Sequence, residues 1–325
     1  MILLTGSSGY LGSRIAHALV ERGEPFRVLV RDPARLGLVP AEARCEIVTG
    51  GLGDREAVAE ALRGVKQVIH SAALVKMWAR DPREFRRVNV EGLKSLLEAA
   101  DLAGVERVVY TSSFIAAGPS SDPNAGEGLH NSGPYCNEYE ESKAGALDWL
   151  RAEGFARFPV VALLPGVIYG PGPSTDGNLV GGMARQYLKG KFPGLLGSGE
   201  QRWSFAFNAE IVEAHLAALE KGRPGEEYFL AGDNRSLNDL FSVLARLTGV
   251  TFPVRHLSFA IGKAFGMVEV TRARLFNHQP QLTPGVVEIF KHDWVYSSAK
   301  AIRELGYRVV PLEEGLRRTL EAGLG

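Results

Sequence analysis

Three side chains in this sequence are suited to acid–base chemistry at one centre: Ser113, Tyr139 and Lys143. Tyr139 and Lys143 stand four apart in a stretch, Glu138 to Arg151, that reads as helix, so both project from one face. A phenol, with an ordinary pKa of about 10, exchanges protons slowly at neutral pH. An ammonium beside it favours the phenolate and is expected to bring that pKa toward working pH. Tyr139 would then give a proton to a carbonyl oxygen in one direction and remove it from an alcohol in the other. Ser113 ends an apolar run, Val108 to Ser113, read as a buried strand. Its hydroxyl would orient the reacting oxygen and stabilise charge developing there. A tyrosine and lysine four apart recur in many helices, so the trio depends on what supplies the hydride.

That supply points to the first dozen residues. Met1 to Leu4 is a short apolar run typical of a buried parallel strand. Thr5, Gly6, Ser7, Ser8, Gly9, Tyr10, Leu11 and Gly12 follow, and Ser13 to Arg22 has helical periodicity. Strand, glycine turn and helix together form a cradle in which a dinucleotide pyrophosphate rests on a helix N-terminus. Gly6 permits the tight turn, Gly9 admits the phosphates, and Gly12 lets helix and strand pack closely.

The second strand, Phe26 to Val30, ends at Arg31-Asp32. An acid at that place bonds a ribose 2′-hydroxyl, as for NAD, whereas arginine suits the 2′-phosphate of NADP. Arg31 favours NADP, with NAD left open through Asp32. Strands are further expected at Cys45 to Val48, Val65 to His70 and Val160 to Leu164. Helices are expected at Val58 to Leu62, over one long run from Phe85 to Leu102, and at Leu179 to Leu188. Pro165 to Gly172 reads as punctuation that ends a strand and opens irregular structure.

The remaining composition narrows the class. The chain has 325 residues, 45% hydrophobic and 23% charged, with formal net charge zero. No basic stripe or acidic tail recommends nucleic acid or an anionic membrane as partner. Cys45 and Cys136 match no metal or redox spacing and read as free thiols, and the histidines are scattered, so no metal is expected. A strand starting at Met1 leaves no room for a signal peptide, and no apolar run spans a bilayer; the cytoplasm is the expected location.

Taken together, T-G-x-x-G-x-x-G at Thr5 to Gly12, Ser113, Tyr139-x-x-x-Lys143 and Pro165-Gly-x-x-Tyr169-Gly-Pro resemble the extended short-chain dehydrogenase/reductases. Arg31, the Ser71-Ala72-Ala73 loop with Trp78 to Pro82, and the ending Ser298 to Tyr307 resemble its dihydroflavonol reductase-like and hopanoid-associated sugar epimerase-like branch. The resemblance implies an α/β fold, a doubly wound parallel sheet of Rossmann type with a smaller carboxyl-terminal lobe over the substrate. The nucleotide domain would cover 1–165 with return segments near 203–232, and the lobe mainly 166–325. It implies a homodimer formed by helices near 89–103 and 138–152. It also implies cofactor contacts from Leu52, Asp54, Ser71, Ala72, Ala73, Pro165, Gly166 and Ile168, substrate contacts from Trp78 and Tyr169, and an Asn89 that braces the site. Lys143 would also bond the nicotinamide ribose. Relatives usually carry Asp where this chain has Gly51, and a histidine and two acids where it has Phe207, Ala209 and Glu210. Leu257 to Phe276 reads as a pocket wall.

Three functions follow. The leading one is an NADP-dependent reductase or dehydrogenase interconverting a ketone or aldehyde with an alcohol on a medium-sized small-molecule substrate. The second is a nucleotide-sugar epimerase or dehydratase that keeps NAD bound, which Arg31 and the apolar carboxyl half disfavour. The third is a non-catalytic NADP sensor, which would not need Tyr139 and Lys143.

Overall fold

The computed structural model describes residues 1–36, 44–172, 175 and 177–323. Its strands are β1 (Ile2–Thr5), β2 (Phe26–Val30), β3 (Cys45–Thr49), β4 (Gln67–His70), β5 (Arg107–Thr111), β6 (Val160–Pro165), β7 (Val167–Tyr169), β8 (Leu195–Leu196), β9 (Arg202–Phe207), β10 (Glu227–Leu230), β11 (Asp233–Ser236) and β12 (His256–Leu257). Seven of them form one parallel sheet in the order β10-β6-β5-β4-β1-β2-β3.

The strands are apolar runs because both faces of this sheet are covered. Ile2, Leu4, Ile69, Val109 and Val161 pack on one side with Leu11, Ile15 and Ile211 from the helices Tyr10–Glu21 and Asn208–Lys221. Leu3, Val68, Val108 and Ala162 pack on the other with Leu93, Leu97 and Leu147 from Gly92–Leu102 and Glu138–Trp149. The order in which strands are added reverses between β1 and β4, so a crevice opens at their carboxyl ends, where doubly wound folds bind ligands. The expected doubly wound α/β architecture is therefore present.

Two expectations need correcting. Val167–Tyr169 is not irregular: it pairs in parallel with β9, which pairs antiparallel with β11, making a second, three-stranded sheet. Gly166 makes this possible, since a Cβ there would lie 2.5 Å from the Ser204 carbonyl oxygen. The long helix is not uniform either. Its turns Arg83–Arg86 and Gly92–Leu102 are α-helical, whereas Arg87–Glu91 is a wider π-turn.

Candidate active site

The glycine loop follows β1 into the crevice. Gly6 has φ +80°, and a Cβ there would sit 2.6 Å from the Ala72 nitrogen, so the first glycine lets the β1 and β4 loops touch. A Cβ on Gly12 would lie 2.1 Å from the Gly6 carbonyl oxygen. Gly9 caps the helix Tyr10–Glu21 without a side chain, and no acid occupies its first turn. Its positive end therefore carries no internal counter-charge. Ser8 and Gly9 are exposed, and the buried Ser7 hydroxyl has no partner. A glycine cradle, free helix amides and an unsatisfied buried hydroxyl fit a dinucleotide pyrophosphate. The side chains of Tyr10 and Leu11 serve packing. Leu11 lies in the core, while the Tyr10 hydroxyl donates to the Gly170 carbonyl at 2.9 Å and accepts from Asn208 at 3.0 Å.

At the end of β2, Arg31 is exposed and its stem lies 3.5 Å from where a Gly51 Cβ would be. Asp32 is engaged locally: its Oδ1 accepts the Ala34 N–H at 3.1 Å and caps the short turn Pro33–Arg35. Asp54 is similarly engaged, accepting the Ala57 N–H at 3.1 Å as cap of the helix Arg55–Leu62. Leu52 packs over Gly92. Pro165 and Gly166 are buried at the end of β6, Ile168 is half-buried in β7, and Ser71, Ala72 and Ala73 line the loop after β4.

Ser113, Tyr139 and Lys143 meet beyond β5. Ser113 caps the short turn Phe114–Ala117, accepting the Ile115 N–H at 3.4 Å. Tyr139 lies beside Ser113, and Lys143 Nζ donates to the Thr111 carbonyl at 3.0 Å and to the Tyr110 hydroxyl at 3.5 Å. The expected lowering of the Tyr139 pKa is absent from the protein alone. Burial pushes Tyr139 up to about 12, offset only in part by Ser113, and pushes Lys143 down to about 7. The Lys143 amine bonds the β5 backbone and the Tyr110 hydroxyl, and Tyr139 keeps its proton at neutral pH.

Asn89 sits in the π-turn and braces two elements. Its Oδ1 accepts the Leu74 N–H at 2.7 Å, while Nδ2 donates to the Leu74 carbonyl at 3.2 Å and to Ser142 Oγ at 2.9 Å. Ser142 in turn donates to the Tyr139 carbonyl at 2.8 Å. One amide thus ties the loop after β4 to the helix bearing Tyr139 and Lys143.

Two further groups line this centre that the sequence reading passed over as strand residues. Tyr110 lies under Lys143, whose Nζ is 5.2 Å from its ring centroid, and stacks on His70 with centroids 5.7 Å apart. His70 Nδ1 is 2.7 Å from Thr5 Oγ1, and burial, aided by the Lys143 charge, lowers its pKa to about 3. The available signal was position: titratable side chains at carboxyl ends of adjacent parallel strands.

Trp78 is half-buried on the loop after β4, and Met77 Sδ accepts from Asn137 Nδ2 at 3.8 Å. Tyr169, expected against substrate, is instead enclosed. Its ring contacts Phe205 and Phe207 edge-on, and a Cβ on Gly315 would come 2.0 Å from its hydroxyl. Glu210 is buried and paired with Arg308 at 2.9 Å, a structural role. The described residues include no group of three or more His, Cys, Asp or Glu placed to hold a metal.

A glycine cradle at the sheet's reversal point and a Ser-Tyr-Lys cluster across from it define a nucleotide-dependent enzyme of the extended short-chain dehydrogenase/reductase type. Residues 2–231 match the NAD-dependent epimerase/dehydratase family, and the chain belongs to it. It is 28% identical to sterol demethylase protein B of Methylococcus capsulatus, over 94% of this chain and 92% of that protein. It is 29% identical to a 2-alkyl-3-oxoalkanoate reductase of Stenotrophomonas maltophilia, over 98% and 97%. Among solved structures, the Streptomyces venezuelae dTDP-glucose 4,6-dehydratase with NAD bound superposes with TM-score 0.78 at 26% identity, covering 99% of this chain and 96% of that one.

Proposed function

We propose that this protein is an NADP-dependent reductase or dehydrogenase that interconverts a ketone or aldehyde with the corresponding alcohol. The observation that carries the cofactor choice is the arrangement at the end of β2. Arg31 is exposed beside Gly51, a position without a side chain, while one oxygen of the neighbouring Asp32 is taken up in capping Pro33–Arg35. A guanidinium there holds a 2′-phosphate with paired hydrogen bonds. The Stenotrophomonas relative, named as a reductase of an oxoalkanoate, supports carbonyl reduction.

The bound nicotinamide would supply or accept the hydride. Tyr139 gives its proton to the carbonyl oxygen, a role suited to a phenol that stays protonated at neutral pH. Ser113 donates to the same oxygen and stabilises the charge it gains. Lys143, anchored on Thr111, is about half protonated at pH 7 and contributes part of a positive charge there. Asn89 holds the loop after β4 against the helix that carries both. In the oxidative direction Tyr139 must first lose its proton, so that direction gains as pH rises.

A panel of ketones and aldehydes assayed with NADPH and with NADH tests this reading. Turnover with NADPH is expected, and Arg31→Ala should weaken NADPH binding roughly ten- to hundredfold while leaving NADH nearly unchanged. An NADH preference in the wild type would defeat the cofactor assignment. The NAD-bound dehydratase structure favours a second reading, an epimerase or dehydratase acting on a nucleotide sugar. Cofactor retained through purification, with no net oxidation of added NADPH, would select it. The helices Gly92–Leu102 and Glu138–Trp149, where Lys94 Nζ lies 5.1 Å over the Trp149 ring, are the proposed dimer faces, and the mass in solution checks them.

A further inference from the structure

We propose that Glu140 is a positioning residue, which through Asn131 sets where Ser113 stands relative to Tyr139. Glu140 follows Tyr139 directly in the first turn of the helix Glu138–Trp149. Its neighbours Glu138 and Glu141 are exposed, whereas Glu140 is 1% exposed. No lysine, arginine or histidine among the described residues pairs with its carboxylate, which is met instead by two N–H donors. Oε1 accepts from Asn131 Nδ2 at 2.8 Å and Oε2 from the Cys136 N–H at 2.8 Å. A carboxylate taken out of water is costly unless donors satisfy it, so these bonds constrain the segments that supply them. A glutamate at the third position of a helix ordinarily bonds back to the N–H of the capping residue. Asn137 caps this helix, its Oδ1 accepting the Glu140 N–H at 2.9 Å. Glu140 departs from that pattern: one oxygen passes the cap to reach Cys136, and the other crosses to Asn131.

Asn131 carries the constraint to Ser113. Its Nδ2 also donates to the Ile115 carbonyl at 3.4 Å, while its Oδ1 accepts the Gly133 N–H at 3.1 Å. Ile115 lies in the turn Phe114–Ala117 that Ser113 caps, and its N–H donates to Ser113 Oγ at 3.4 Å. The turn ends at Gly118, which has φ +85° and whose N–H donates to the Ile115 carbonyl at 3.3 Å. A Cβ on Gly118 would stand 3.1 Å from Asn131 Cγ, so the bare glycine lets the asparagine lie against the backbone. Tyr296 Oη donates to the Gly118 carbonyl at 2.5 Å and fixes the far end of the turn. Ser113 and Tyr139 are thus borne by separate segments, and the Asn131–Glu140 bond joins them. Carbonyl reduction needs both hydroxyls at one oxygen, where small misplacements are costly. The inference rests on the reductase reading for that chemistry, whereas the clamp itself can be tested without it.

Turnover per folded molecule, measured well below the melting temperature, and amide hydrogen exchange test the inference together. Glu140→Gln turns an amide NH2 toward one of the two donors. It should lower kcat roughly ten- to hundredfold, with KM and the NADPH dissociation constant changed less than about threefold. Asn131→Ala removes the same bond, leaves Glu140 on the Cys136 amide, and should act likewise should Glu140→Gln fail to fold. Combining Glu140→Gln with Asn131→Asp exchanges donor and acceptor across the bond and should restore kcat to within about threefold of the wild type. A carboxylate that only braced the fold would lower Tm in the single variants without moving the kcat of folded enzyme, and that result overturns the inference. So does a double variant no faster than the single ones. Exchange needs no substrate: in either single variant the Ile115 and Gly118 amides should exchange at least about fivefold faster, those of the helix Arg55–Leu62 being unchanged. Unaltered exchange at Ile115 and Gly118 overturns the inference, even where the wild type turns over no carbonyl and the reductase reading itself fails.

Discussion

Around β1 the backbone itself is the proposed binding surface: Gly6, Gly9 and Gly12 carry no side chains, and no side chain caps the helix above them. Around β5 the side chains make the proposed site: Tyr139 lies beside Ser113, Lys143 is held by Thr111, and Asn89 by Leu74 and Ser142. The contrast teaches that binding and chemistry are separable here. The first half should fail when an atom is added, the second when one is removed.

Tyr139→Phe is the strongest test of that separation. It should lower turnover by roughly 10²- to 10⁴-fold while the NADPH dissociation constant changes less than about threefold. Loss of cofactor binding in this variant would merge the two halves. Gly12→Val is the converse: its side chain must displace the Gly6 carbonyl, costing about 1–3 kcal/mol of stability by denaturant titration and weakening NADPH binding at least about tenfold. Asn89→Ala leaves the Leu74 amide without its partner and should cost about 1–3 kcal/mol, with a slower kcat at unchanged cofactor affinity.

Lys143 gives a pH signature. Its pKa falls from 10.5 to about 7 on folding, so between those values the unfolded chain binds more protons and stability rises with pH. Lys143→Met removes that dependence. Its Tm advantage over the wild type should be greatest at and below pH 7 and shrink toward pH 10.5. Tyr110→Phe should act least: its bond to Lys143 is long, at 3.5 Å, and the ring remains, so turnover is expected to change less than about threefold.

Much of the nucleotide half was readable because its constraints are local. Apolar runs such as Ile2–Leu4, glycine spacing and the four-residue step from Tyr139 to Lys143 each act within a few residues. What escaped depends on distant neighbours. β7 is a strand because β9, more than thirty residues later, lies beside it. Tyr169 is enclosed because Gly315 leaves room for its hydroxyl. The direction of the Tyr139 shift followed from burial, which the sequence does not quantify. Leu257 to Phe276, expected as a pocket wall, forms a helix from Phe259 whose large side chains are mostly exposed, since Gly262 and Gly266 take the inner side.

The wide turn Arg87–Glu91 has a consequence for how this chain can vary in length. A π-turn accommodates one residue more than regular α-helical winding, so it behaves as a fossil insertion. Deleting a single residue there would restore regular winding with both flanks still in register, and only the residues within the turn would be re-aimed. The carboxamide of Asn89 would swing away from the loop it steadies, even with every other residue kept.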